Sequence, residues 1–172
     1  QWYAELFEDT RVLESLQLTL QLALASAVIS TVIGTLAAFG LRRAFPGRGL
    51  WTVLLSLPLV VPEVVMGVAM LGFFVKLAGI PLGFGALLFA HVAFSLSFVV
   101  VVVRSRVSGM DVRMEEAAAD LGASPFVAFR TVTLPLVAPA VMAGAAFAFL
   151  LSFDDVVISS YLTGVGSTTL PV

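Results

Sequence analysis

The chain has 172 residues, of which 60% are hydrophobic and 12% charged, with a formal net charge of −2. Soluble domains are about half apolar and a quarter charged, so this make-up argues against a soluble domain; nine Lys and Arg against eleven Asp and Glu leave no basic footprint for a nucleic acid. With no Cys and a single His, disulfide frameworks, thiolate chemistry and histidine metal clusters are excluded.

The chain opens at Gln1 with Glu5, Glu8, Asp9 and Glu14 against Arg11, the reverse of a basic signal-peptide start, and reads as a fragment of a longer sequence. The far end, Ser167 to Val172, has neither a terminal span nor a charged tail, so sequence is expected beyond it too. Between these ends four apolar stretches, about 16–41, 51–78, 82–103 and 136–162, reach the roughly 20 residues a helix needs to cross hydrocarbon. Lipid offers no water to backbone groups, so each is expected to be helical. The fold class is an all-α membrane protein, a helical bundle forming one domain over 1–172 without internal repeats.

Direction follows from the basic residues, which favour the cytoplasmic side. Arg42, Arg43 and Arg48 separate the first two stretches, and Arg104, Arg106, Arg113 and Arg130 the last two, so seven of the nine basic residues fall inside. Both chain ends and the turn around Ile80 to Leu82 then lie outside. Trp2, Tyr3, Trp51 and Tyr161 suit the interfacial belts.

Carboxylates inside such stretches are expensive and mark a cavity or a partner. Glu63 follows Pro58 and Pro62 in the second stretch, and Asp154 and Asp155 follow Ser152 and Phe153 in the fourth. On straight helices Glu63 would lie about 18 Å and Asp154 about 22 Å from the cytoplasmic ends. Two helices would thus bring acids to one level, where a solute with several spaced ammonium groups finds charge-assisted hydrogen bonds. The alternative is a structural role, with Ser, Thr or proline-freed main-chain groups holding the acids. Neighbours on a helix differ by about 100°, so Asp154 and Asp155 cannot share one cavity, and one is expected to be a helix-to-helix contact. His91, beside Phe89 and Phe94 at similar height, reads as a hydrogen-bonded packing residue or a pathway ligand; Tyr161 and Thr163 edge the outer mouth or anchor the interface.

The longest hydrophilic stretch, 109–139, is predicted to hold two short helices. Asp111 caps the first, Glu115 and Glu116 occupy its early turns, Gly122 ends it, and Ser124 with Pro125 starts the next. Met114, Ala117, Ala118 and Leu121 form an apolar stripe on the first helix. The stripe either packs back on the chain's own spans and lipid or docks another subunit.

Glu116, Ala117, Ala118, Gly122 and, after nine residues, Val132, Leu134 and Pro135 resemble the EAA loop of ABC importer permeases, departing only in Val132 for isoleucine. The segments Ser95 to Ser124 and Ser152 to Gly164 are similar to the spermidine/putrescine permease family, to the second of its two membrane subunits, and the resemblance covers most of the chain. It implies the type I ABC importer permease fold, with about four of six spans present. It further implies that Glu116, Ala117, Ala118, Asp120, Leu121, Gly122, Leu134 and Pro135 couple to an ATPase, and that Glu63, His91, Asp154, Asp155 and Tyr161 line a polyamine pathway. The implied partners are an ATP-binding cassette ATPase subunit, a second homologous permease and an extracytoplasmic polyamine-binding protein, in a bacterial inner membrane. ATP and Mg would sit on the ATPase, since this chain has no GxxxxGK[ST] loop and Lys76 as its one lysine; neither cofactor, metal nor catalytic activity is expected here. Other readings are a permease for thiamine, ferric iron or a phosphonate, a secondary carrier or channel, and a scaffold. Anionic solutes fit the acids poorly, a self-sufficient carrier needs no docking loop, and a scaffold leaves the acids unexplained.

Overall fold

The computed structural model describes residues 9–111 and 113–172; Trp2, Tyr3, Glu5 and Glu8 lie outside the described residues. Helix α1, Thr10–Gly40, starts where the Asp9 carboxylate accepts the Arg11 N–H at 2.9 Å. Its buried residues, Thr19, Leu22, Ala23, Ser26, Ala27, Ser30, Gly34 and Ala38, recur every three or four positions and are mostly small, which lets neighbouring backbones approach. The Ser30 hydroxyl donates to the Ser26 carbonyl at 2.6 Å, so that polar group enters the interface already bonded.

Glycine 47, with φ 85°, turns the chain into α2, Arg48–Ser56, which ends in a tight turn over Leu57–Leu59. Helix α3, Glu63–Gly72, then leaves at 106° to α2 and widens into a π turn over Phe73–Ala78. The stretch 51–78 is therefore not one straight span. Pro62 lacks an amide hydrogen, and its ring disfavours helical geometry at Val61, so the helix cannot continue through this point. The depth inferred for Glu63 along a straight axis falls with it.

Helix α4, Phe84–Ser108, is the central element, about 37 Å long at the helical rise. Val99 is gripped from two sides: a Cβ added at Gly34 of α1 would fall 2.7 Å from its Cγ1, and one at Gly144 would fall 3.4 Å away. After α4 come α5, Arg113–Asp120, and α6, Pro125–Ala128. Asp111 accepts the Arg113 N–H at 3.0 Å, Gly122 has φ 84°, and the Ser124 hydroxyl accepts the Val127 N–H at 3.4 Å, so these local stop and start signals operate as the sequence predicts.

The second short helix is not separate, however. It runs through a π turn, Phe129–Thr133, into α7, Leu134–Phe153, giving one unbroken apolar helix over Pro125–Phe153. The π turn falls where Pro135 would otherwise clash with the carbonyl four residues back, at Thr131, so the helix widens there rather than ending. A break at Asp154 to Val156 follows, and α8, Val157–Leu162, completes the apolar stretch that by its length reads as one span.

Two apolar clusters hold the bundle. One joins Leu22, Met66, Leu87, Phe94, Ile158 and Leu162 across α1, α3, α4 and α8. The other joins Ala27, Ala38, Val99, Val103 and Val137 across α1, α4 and α7. Helix α8 packs on α3, where a Cβ added at Gly67 would meet the Tyr161 ring at 2.6 Å. Gly67→Val is therefore expected to part these helices and cost about 1–3 kcal/mol, measurable as an earlier melting transition of the detergent-solubilised protein.

Candidate functional site

The break in the fourth apolar stretch separates its two aspartates. Asp155 is buried, 7% exposed, and turns back over the first turn of α8, accepting the Ile158 N–H at 3.3 Å and the Ser159 N–H at 2.7 Å. These are amides that a helix start leaves without intrahelical partners. His91 of α4 closes the arrangement. Its Nδ1 lies 2.7 Å from the Ser152 hydroxyl before the break, its Nε2 3.2 Å from the Ser159 hydroxyl after it, and the same Nε2 3.5 Å from Asp155 Oδ2. Both ring nitrogens have partners, and His91 is 2% exposed, so its hydrogen bonds join the two sides of the break.

Asp154, in contrast, is exposed at the C-cap of α7. The negative end of a helix dipole disfavours a carboxylate, and a cation beside Asp154 would offset that. Glu63 is half-buried in the first turn of α3, where the positive dipole end favours it, and Asp155 lies near enough for the two charges to repel. Thus Glu63 lies near Asp155, whose carboxylate caps α8, and Asp154 is the residue before it in the chain. Tyr161 is held by its ring against Gly67.

The second candidate surface lies at the other end of the bundle. Leu121 is 91% exposed and Met114 45%, and Ala117 is exposed too, so most of the stripe on α5 faces away from the chain; Ala118 is half-buried. Glu116, Asp120 and Gly122 are exposed, as are Leu134 and Pro135 at the start of α7, and Phe126 at 71% extends the apolar surface.

Glu115 anchors this helix, which the motif does not indicate. Its Oε1 accepts from Arg42 Nη1 and from the Thr133 hydroxyl, each at 2.8 Å, tying α5 to the end of α1 and to the π turn. Phe39 and Phe129 meet edge to face at 5.6 Å beside it, and a cavity of about 780 Å³ opens between these parts. Arg42 and Glu115 are 73 positions apart, and nothing local in the sequence marks either as the other's partner. Likewise Ser152 and Ser159 flank the aspartates visibly, but their bonds to His91 depend on the tertiary fold.

The hydrogen bond from Arg42 holds the Glu115 carboxyl below its ordinary value of 4.5; burial opposes this, and the Thr133 hydroxyl and the Arg42 charge add to it. A depressed acid stabilises above its unfolded value and loses that contribution as pH falls through the folded one, so the anchor is complete above 4.5 and released in more acid solution. With side chains 26% and 29% exposed, the pair is worth about 1 kcal/mol at most. Protection of the α5 amides, their exchange measured against the rate of an unstructured chain at the same pH, is expected to fall below that pH in the native chain, and at neutral pH in Arg42→Gln.

Residues 30–172 match the family of binding-protein-dependent transport system inner membrane components. The chain belongs to that family. This inner-membrane component is 46% identical over 173 residues to the spermidine/putrescine transport system permease protein PotC of Escherichia coli (strain K12), covering 100% of this chain and 65% of that protein. It is 41% identical over 179 residues to the putrescine transport system permease protein PotI of the same organism, covering 100% of this chain and 64% of that one. The inner-membrane component thus spans slightly less than two thirds of the relatives it matches. A chain in the crystal structure of an amino acid ABC transporter with histidines superposes with a TM-score of 0.76 at 17% identity, covering 99% of this chain and 79% of that one. The fold is that of a type I ABC permease.

Proposed function

We propose that this chain is a permease subunit of an ATP-driven importer that moves polyamines of the spermidine and putrescine kind across the cytoplasmic membrane. The identity of 46% with a spermidine/putrescine permease, along the entire chain, carries this reading. The chemistry of the break supports it. Asp154 and Glu63 offer carboxylates to a multiply protonated amine, each contact a charge-assisted hydrogen bond. Asp155, His91, Ser152 and Ser159 hold the break open, and Tyr161 seats α8 against α3.

The energy comes from a separate ATPase subunit, which binds ATP and Mg. Its cleft receives the apolar stripe of α5 at Met114, Ala117 and Leu121, with Ala118, Glu116, Asp120, Gly122, Leu134 and Pro135 around the contact. Through Glu115, Arg42 and Thr133 a push on α5 reaches α1 and α7 together. A second homologous permease completes the pathway, and a polyamine-binding protein delivers the solute outside. This chain itself catalyses nothing. Alternating access around a midplane site is the physical scheme.

The test is uptake of labelled spermidine by cells carrying the full-length subunit and its partners, challenged with unlabelled putrescine and unlabelled thiamine. Competition by putrescine alone supports the proposal. Competition by thiamine and not by putrescine, or no uptake of spermidine at all, would reassign the solute.

A further inference from the structure

A second cavity lies at the cytoplasmic end of the bundle, about 300 Å³ in volume, with Arg42 from the end of α1, Arg48 from the start of α2 and Arg104 and Ser108 from the end of α4 in its wall. Its apolar wall includes Leu41 and Val107. Three half-buried arginines thus share one cavity wall, two from helices and one from the turn after α1, and among the described residues no carboxylate lines it. Arg42 gives Nη1 to Glu115 and Arg104 gives Nη1 to Thr52 at 3.2 Å; among the described residues Arg48 has no ion-pair partner. Arginines that only obey the inside preference spread into solvent. Here three line one cavity, and a bound anion would offset the like charge and partial burial gathered there.

We propose that this cavity is a binding site for a phosphate group, supplied by an anionic lipid headgroup of the inner leaflet. Guanidinium forks match phosphate oxygens bidentately, and basic hollows between membrane helices on the cytoplasmic side suit anionic headgroups. The apolar wall of Leu41 and Val107 suits the acyl chains that follow a lipid headgroup, a feature that a free phosphate does not use. Arg42 serves both this site and Glu115, so an occupant sits one side chain from α5. The site is independent of which solute is carried.

The assembled transporter, with the full-length subunit, is placed in nanodiscs of phosphatidylcholine with a minority of phosphatidylglycerol, and lipid retained through detergent washing is counted by native mass spectrometry. Each arginine near anionic lipid is worth about a fivefold change in binding, so Arg48→Gln is expected to weaken retention about fivefold and the Arg48→Gln, Arg104→Gln pair roughly 25-fold. Arg43→Gln, whose side chain lines the other cavity, is expected to retain lipid as the native chain does. Equal retention by the native chain, Arg48→Gln and the double variant would overturn the site. Arginine-dependent binding of inorganic phosphate in pure phosphatidylcholine discs, with no phosphatidylglycerol retained in the mixed ones, would overturn the lipid assignment.

Discussion

Asp155→Ala is expected to destabilise the protein by about 3 kcal/mol, whereas Asp155→Asn costs far less. Alanine strips two amides at the start of α8 of their acceptor and removes the oxygen 3.5 Å from His91 Nε2. Those groups are buried, so water cannot replace what is lost. Asparagine keeps one acceptor oxygen in the same place and loses only part of the cap. Because α8 seats on α3 beside Glu63, failure here spreads to the neighbouring helix. Thermal unfolding of the purified complex separates the two variants: a large drop for alanine and a small one for asparagine. Equal behaviour would mean that Asp155 does not cap α8.

Leu121→Glu is expected to leave folding and membrane insertion unchanged and to weaken capture of the ATPase subunit at least tenfold. At 91% exposed, Leu121 has little to lose within its own chain. Burying a leucine on a partner is worth about 1.5–3 kcal/mol, and a charge in that place forfeits it, which converts to about tenfold or more in affinity. Co-purification of the ATPase subunit with the full-length chain measures this. Retained capture would show that the stripe on α5 is not the docking surface.

The fold class is legible in the sequence because it depends on composition summed over some twenty residues, a quantity insensitive to where a helix bends. The caps of the hydrophilic loop are legible for the opposite reason: Asp111, Gly122, Ser124 and Pro125 act on their immediate neighbours. Bends are harder. Pro58 and Pro62 are visible, but a 106° turn rather than a kink depends on α3 packing against α8. At Asp154 no Pro or Gly marks the break; it is held by Asp155 capping onto α8 and by His91, 61 positions before Ser152. The carboxylates are legible as exceptions in an apolar background, and so is the rule that neighbours cannot share a face. Which aspartate turns inward depends on His91, and the anchoring role of Glu115 on Arg42, and neither pairing leaves a periodic trace.

The claim at the centre is that Glu63 and Asp154, beside the break, receive a polyamine. It is tested most directly by the initial rate of labelled spermidine uptake in cells carrying the full-length subunit and its partners, with Glu63→Gln, Asp154→Asn and both together. The expected result is a fall of about tenfold for each single variant, the size of one lost charge-assisted hydrogen bond, and near-complete loss for the pair, with the ATPase still bound and the complex intact. Undiminished uptake by the double variant would contradict the account and leave both acids to the structure of the helix ends.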